Sequence, residues 1–422
     1  MSTLPRVQEQ SRPQTRAFVI AWAVTVVFYF LEYAVRSSPS VMISELETSF
    51  RTTALGLGAI LGSYYYTYSI TSLIAGTALD RLGAKRTVPL GVAVLGIGCL
   101  LFSAPAIVAG YGGRLLQGAG SAFAFTGGVY LAAHGFPARF LATAIGVTQC
   151  VGMLGGSAGQ FVVGPMIEHG LSVHVYWLAI GVLILVTGVV LYIASPKEQF
   201  TPKTPGAGSG SVLTPYKVVF SNPQSYLCGA VAGLLFAPTT IGDMTWAVAA
   251  FQKDLKVAYH DAVVTASMVP LGWVIGCPLV GWLSDRIGRR KPVIMGSAAI
   301  MALAAAQISF HFLPIPTKIG MLIFGIASGA AMIPYSVIKE VNPDNVKGSA
   351  TGGINFLVFA ITAVIGPIFA RNVGRGIGST SNPTAHFQKG VTFWIVCCVA
   401  AIVLSAFLRE TGRAAHPQPA SK

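Results

Sequence analysis

Apolar residues recur along the chain in windows of about 20, each long enough to cross a bilayer as a helix, with short polar or glycine- and proline-containing breaks between them. Reading the windows against the breaks predicts twelve spans. The first six lie near Ala17–Ser40, Leu55–Leu79, Val88–Gly110, Tyr111–Ala133, Leu141–Ile167 and Val173–Ala194. The second six lie near Tyr226–Phe251, Ala262–Leu283, Pro292–Leu313, Ile319–Val337, Ala350–Ala370 and Val391–Phe407. Between the sets, SPKEQFTPKTPGAGSGSVLTPYK is rich in Pro, Gly, Ser and Lys and cannot bury apolar surface, so it predicts a flexible linker. The expected fold class is an all-α membrane protein of two pseudo-symmetric six-helix bundles. Its divisions are a tail over 1–16, bundles over 17–195 and 225–408, a linker over 196–224 and a second tail over 409–422.

Composition strengthens this pattern. Of 422 residues, 53% are hydrophobic and 10% charged, against about 25% charged in an average soluble domain. A soluble enzyme core is excluded. The net charge of +14 sits in short basic clusters between spans, chiefly in the tail, after span two, in the linker and after span eight. The positive-inside rule then puts both termini and the linker on the cytoplasmic face, as in a bacterial inner membrane. No nucleic-acid partner is needed to explain the charge. The six cysteines fall within apolar runs without CxxC or metal spacing, and the histidines form no ligand cluster, so neither metal nor cofactor is expected.

The halves repeat. GTALDRLGAKR after span two and GWLSDRIGRRK after span eight align with Asp80 and Asp285 205 positions apart. VVGPMI and VIGPIF in spans five and eleven align with Gly164 and Gly366 202 positions apart, so nearly one offset serves both ends of an internal duplication.

The repeated loop pattern, at Gly76, Asp80, Arg81, Gly83 and Lys85 and again at Gly281, Asp285, Arg286, Gly288, Arg289 and Arg290, resembles the signature loop of the major facilitator superfamily. That resemblance covers the whole chain and implies a monomeric transporter whose loops form a cytoplasmic gate. The Asp of the motif is suited to accept from neighbouring helix N-termini and arginines. The first copy has Ala84 where the family prefers arginine. GRLLQGAGSAF resembles a second family pattern and makes Arg114 a buried-cation candidate, with interfacial snorkelling as the alternative. GMLGGSAGQFVVGP shares glycine spacing with the drug/proton antiporter motif but lacks its trailing glycines; helix packing explains it as well. Tyr33, Arg36, the SYYYTYS run ending near Tyr68, and HGFPARF resemble the organic-anion, sugar-phosphate and phagosomal-nutrient branches. In the first two of these branches the span-one arginine binds carboxylate or phosphate, and Tyr68 is a cavity residue by the same resemblance. Ser121 stands where some anion-branch members carry a coupling acid.

Candidate chemistry concentrates in FYFLEYAVRSSP. Glu32 and Arg36 are one turn apart on adjoining parts of one face. A guanidinium fork matches carboxylate or phosphate, and a carboxyl in low-dielectric surroundings can load and release a proton. Arg36 is therefore the candidate anion hook and Glu32 the candidate proton site; a self-neutralising structural pair is the alternative. Counting from Ala17 puts Arg36 near the outer interface, unless the helix begins earlier. Pro39 predicts a bend toward the outer end of the helix. Shifting Arg36 by 205 lands two residues from Asp243, a second proton candidate or a counter-ion to Arg36 or Arg114. Gln149 and Asn355, in matched spans five and eleven, are candidates for substrate hydroxyls or carboxylates, or for helix-to-helix hydrogen bonds. The expected activity is proton-coupled import of a small organic anion by alternating access. Rivals are uptake of a zwitterion, proton-coupled efflux of amphipathic compounds and, more distantly, ligand sensing.

Overall fold

The computed structural model describes residues 12–196, 214–343, 346–373, 377 and 381–412, without the side chains of residues 12–14, 80, 138, 139 and 142. Most of the expected linker and tails lie outside the described residues. Every regular element among the described residues is helical. The long helices of the N-terminal half are α1 (Arg12–Ser37), α2 (Ala54–Leu82), α3 (Ala84–Phe102), α4 (Ile107–Gly135), α5 (Ala138–Phe161) and α6 (Val173–Ala194). Those of the C-terminal half are α7 (Pro223–Ala237), α8 (Tyr259–Ile287), α9 (Lys291–Phe310), α10 (Thr317–Ser328), α11 (Lys347–Asn372) and α12 (Pro383–Ala406). Helix α7 runs on through π-helical turns at Pro238–Ala247 into Val248–Lys253, and α10 through a 3-10 turn at Gly329–Met332 into Ile333–Glu340.

Ten helical stretches among the described residues are long and apolar enough to cross a membrane. Helices α2 and α4, 29 residues each, occupy the second and fourth expected positions. Tyr, Ser and Thr in the one and repeated Gly in the other lower their hydropathy. Two expected boundaries are wrong, and one is the start of the last helix, at Pro383 rather than near Val391. The break between the third and fourth helices falls at residues 103–106, around Pro105, and Gly110 and Tyr111 lie inside α4. Proline opens a helix more readily than it sits within one, whereas Gly110 and Gly113 are packing positions, close against Phe50 and Phe102. The first helix also starts at Arg12 and ends at Ser37; Pro39 stands in a separate 3-10 turn, Ser38–Val41, rather than bending α1 itself.

Each loop motif terminates its helix at a glycine with positive φ. Gly83 closes α2 at φ +73° and Gly288 closes α8 at φ +71°, 205 positions apart. A side chain at positive φ is strained, so glycine serves both C-terminal turns. Beyond them, the Lys85 ammonium donates to the carbonyls of Tyr192 and Ser195 at the end of α6. The Lys291 ammonium donates likewise to Ala406 at the end of α12. Each half thus ties its third helix to the negative end of its last.

Small residues set the helix spacing. A Cβ on Gly276 of α8 would lie 2.1 Å from the Ile326 carbonyl oxygen of α10, and one on Gly325 would lie 2.1 Å from Val269 O. Backbone cannot swing aside as a side-chain tip can. Overpacking of this kind costs about 1–3 kcal/mol. Gly276→Ala is expected to lower the thermal unfolding midpoint in detergent, while Gly296→Ala, with no atom within 4 Å of the added carbon, leaves it unchanged or raises it.

The halves meet chiefly where α2 packs on α11 and α5 on α8. Toward the end that carries the loop motifs, Ser69 Oγ donates to Phe356 O, and the Tyr216 hydroxyl, from a short helix Thr214–Ser221, donates to Leu73 O. Toward the opposite end, the Tyr259 hydroxyl donates to Val41 O at 2.5 Å. Contacts therefore close the seam on both sides of its middle.

Candidate functional site

Between the closures lies a small cavity lined by Tyr29, Tyr33, Tyr68, Gln149, Tyr335, Asn355 and Phe359, among others from both halves. Four predicted residues, Tyr33, Tyr68, Gln149 and Asn355, meet there. Its volume is about 10 Å³, and one water needs about 10–15 Å³. The conformation is shut around its centre.

Glu32 and Arg36 stand behind the aromatic wall of this cavity. Both side chains are fully buried. Arg36 Nη2 donates to Glu32 Oε1 at 2.5 Å and Nε donates to the same oxygen at 3.1 Å. The Tyr64 hydroxyl donates to Glu32 Oε1 as well, and accepts from Arg36 Nη2 at 3.1 Å. One carboxylate oxygen thus takes every bond, leaving Glu32 Oε2 and Arg36 Nη1 without partners. The guanidinium carbon lies 4.4 Å from the ring centroid of Tyr33, 5.1 Å from Tyr68 and 5.3 Å from Phe359, close enough for cation–π attraction.

Depth follows from these neighbours. Tyr64 and Tyr68 sit near the middle of α2, so Arg36, though in the last turn of α1, is at mid-height of the bundle. The expected interfacial position, counted from Ala17, is corrected by this packing.

Arg114 reaches the same cluster from α4. Gly118, whose added Cβ would meet Tyr64 O at 2.0 Å, lets α4 lie directly on α2. Arg114 then sits 4.8 Å from the Tyr64 ring and donates from Nη1 to Gln117 Oε1 at 2.7 Å, with Nε unpartnered. It is 2% exposed and two turns inside its helix, so it does not snorkel. The Tyr64 ring thus has two buried cations beside it, the Arg36 guanidinium carbon being 5.3 Å from its centroid.

Asp243 lies elsewhere, in the π-helical turns of the α7 segment. It is 3% exposed, both carboxylate oxygens lack hydrogen-bond partners, and it pairs with neither Arg36 nor Arg114. The counter-ion role expected for it is filled by Glu32 for Arg36. Gln160 is the polar side chain beside it, outside hydrogen-bonding geometry. Asp243 faces a second chamber, within the C-terminal half.

At the loop motifs the geometry is partly as expected. Arg290 donates to Asp285 at 2.6 Å and to Glu340 at 2.9 Å. Partial burial works against its charge, and the two carboxylates more than offset that, raising its pKa above the ordinary guanidinium value. Among the described residues, however, Asp285 accepts from no helix N-terminus. That place is taken by Glu410, which accepts from the backbone N–H groups of Arg290 and Lys291 at the start of α9. Arg286 stacks on Trp282, while Arg81 and Arg289 are exposed. Gly76 packs near the Tyr216 hydroxyl, and a Cβ on Gly281 would meet nothing within 4 Å. The Asp80 side chain lies outside the described residues.

Sequence reasoning missed Tyr29, Tyr335 and Phe359. Two carried a signal: Tyr29, Tyr33 and Arg36 follow the i, i+4, i+7 stripe of one helix face, and Phe359 is one turn past Asn355. The Tyr29 hydroxyl donates to Gln149 Oε1 at 3.1 Å and that of Tyr335 to Asn355 Oδ1 at 2.8 Å. Gln149 Nε2 is left unpartnered.

Comparison with known proteins gives this architecture its family. The chain is 22% identical to the riboflavin transporter RibZ of Clostridioides difficile (strain 630), covering 84% of this chain and 90% of that one. It is 25% identical to the hexuronate transporter of Bacillus subtilis (strain 168), over 81% and 85%. Identity to the citrate-proton symporter of Klebsiella pneumoniae is also 25%, over 77% of each. Among solved structures, a bacterial homolog of the human lysosomal transporter Spinster, inward-facing and unoccupied, superposes with a TM-score of 0.67 at 15% identity, covering 94% of this chain and 97% of that one. The family model described as Major Facilitator Superfamily matches residues 25–367. With that match over most of its length and its membrane-length apolar helices, the chain is an integral, multi-pass membrane protein that belongs to the Major Facilitator Superfamily of transporters.

Proposed function

We propose that this protein is a secondary active transporter that imports a small organic anion, a carboxylate- or phosphate-bearing metabolite, by proton-coupled alternating access. In this reading twelve helices span the membrane as two six-helix bundles, over 17–195 and 225–408, and rock about the central cavity. The termini and linker face the cytoplasm across a bacterial inner membrane, with the loop motifs at the inner gate.

The observation that carries the reading is the set of unpartnered donors. Arg36 Nη1 and Gln149 Nε2 are buried N–H groups at or behind the cavity wall that complete no hydrogen bond, with the Tyr68 hydroxyl beside Arg36 and the Tyr33 hydroxyl beside Gln149 outside hydrogen-bonding geometry. Such groups are costly to leave unmade, and an anion oxygen satisfies them. Phe359, one of the rings over Arg36, comes from the opposite half. When α11 swings away from α2, that ring leaves the guanidinium and the hook is uncovered. The named substrates of two relatives, hexuronate and citrate, are carboxylates, which supports the same class.

A second reading has one specific support. Glu32 Oε2 is also unpartnered, so the pair presents a free donor and a free acceptor together, the complement of a zwitterion. Counterflow in proteoliposomes against carboxylates, phosphates, amino acids and cationic dyes separates the two. Saturable exchange of a carboxylate or phosphate is the expected result. Exchange confined to amino acids selects the zwitterion, and exchange confined to cationic dyes overturns both.

A further inference from the structure

The chamber facing Asp243 is separate from the central cavity. Pro238, Gly242, Asp243, Trp246, Ala250 and Asp254 line one side of it, a stripe repeating every three or four residues along the α7 segment. Asp243 and Asp254 are thus on one face about three turns apart. The walls are otherwise apolar, supplied by α8 to α12, and these two carboxyls are the only titratable groups among the described lining residues. The chamber offers about 100 Å³ to a water-sized sphere. At about 30 Å³ of liquid volume per water, that is room for about three, with the two carboxyls as their polar partners.

Its far end is a buried acid–base pair. His386, on α12, has Nδ1 2.8 Å from Asp254 Oδ2 and Nε2 2.8 Å from the Val373 carbonyl oxygen. A carbonyl only accepts, so Nε2 carries a hydrogen. The Nδ1–Oδ2 contact must then hold a second proton, whichever partner owns it. The His386 side chain is 8% exposed and that of Asp254 1%; the imidazole meets the surface and the carboxyl meets the chamber. The charged neighbours on the surrounding elements point outward. Lys389 and Arg371 are exposed, and Lys253 approaches Glu47 at 4.0 Å.

We propose that the His386–Asp254 pair and this chamber form a proton-conducting branch that loads Asp243 without passing through the substrate cavity. The proton between Nδ1 and Oδ2 leaves through the Asp254 carboxyl as a bond forms to chamber water; the imidazole, then neutral with its hydrogen on Nε2, turns so that the bare Nδ1 takes a proton from solvent, and turns back. That water file delivers a proton to an Asp243 carboxylate oxygen, where an O–H bond forms; discharge runs the same steps in reverse. Net charge and proton number balance at each transfer, and substrate and proton reach the protein's middle by different doors.

The inference rests on the proposed proton coupling, with Asp243 exchanging protons as a second carrier beside Glu32, but its test needs no transport. Trp246 and Trp394 both line the chamber, so a stopped-flow pH jump on purified protein, read by tryptophan fluorescence and assigned with Trp394→Phe, follows Asp243 directly. The expected signal titrates with pH and disappears in Asp243→Asn. His386→Gln should slow its relaxation at least tenfold with the end point kept. Ala305→Leu, which fills the chamber without touching a titratable group, should slow it likewise, so a folding defect in the histidine variant leaves the question decidable. A signal that survives Asp243→Asn overturns the role of Asp243. A signal that needs Asp243 but relaxes at the wild-type rate in Ala305→Leu overturns the route alone.

Discussion

Arg36→Lys is expected to raise the KM for the anionic substrate by about 10- to 150-fold, the equivalent of the roughly 1.5–3 kcal/mol of a hydrogen bond to a charged group. The charge is retained, so the change isolates the fork. Lysine has one ammonium at the end of a flexible stem, and it cannot hold Glu32 Oε1 with two nitrogens while leaving a third free for the ligand. Folding should survive, because the ammonium can still neutralise Glu32. Arg36→Ala is a different experiment: it strands a fully buried carboxylate, and breaking such a pair costs about 3–5 kcal/mol. Loss of protein in Arg36→Ala is expected to be relieved by Glu32→Gln in the same chain. Equilibrium binding of the substrate to purified Arg36→Lys is the decisive measurement. Unchanged affinity returns Arg36 to the role of a structural partner.

Much of this arrangement was legible in the chain, and what was not has a common cause. Helix positions follow from local hydrophobicity, and the equivalence of Gly83 and Gly288 follows from the repeat; the structure gives both the same positive φ. Tyr33, Tyr68, Gln149 and Asn355 were identified by resemblance or by matched position, and they do share a cavity. The depth of Arg36 was not legible, because it depends on which part of α2 packs against the end of α1. Likewise nothing local marks Glu410 as the acceptor at the start of α9, 120 residues away from Arg290. His386 and Asp254 are 132 positions apart and carry no motif. Each of these contacts is set by the packing of distant helices, while the motifs record only what a single turn or helix face requires.

The two buried carboxyls predict separable phenotypes. Glu32 is engaged by Arg36 and Tyr64, so in the proposed cycle an arriving anion would compete with it for the guanidinium, and a proton taken up by Glu32 would release Arg36 to the ligand. Asp243 has no such competitor; a proton is the smallest cation that removes the cost of burying its charge alone. Glu32→Gln should therefore mimic the protonated state, leave Arg36 available, spare exchange and abolish proton-driven accumulation. A pH gradient of one unit supplies about 1.4 kcal/mol per proton, enough for about tenfold accumulation. In Glu32→Gln vesicles that ratio should fall to one while counterflow proceeds. Intact accumulation would move the coupling to Asp243, and Asp243→Asn would then be the variant that collapses the gradient-driven ratio. Both variants losing accumulation with counterflow intact would mean that the two sites act in series, with the proton on Asp243 permitting the rocking step that the proton on Glu32 has made productive.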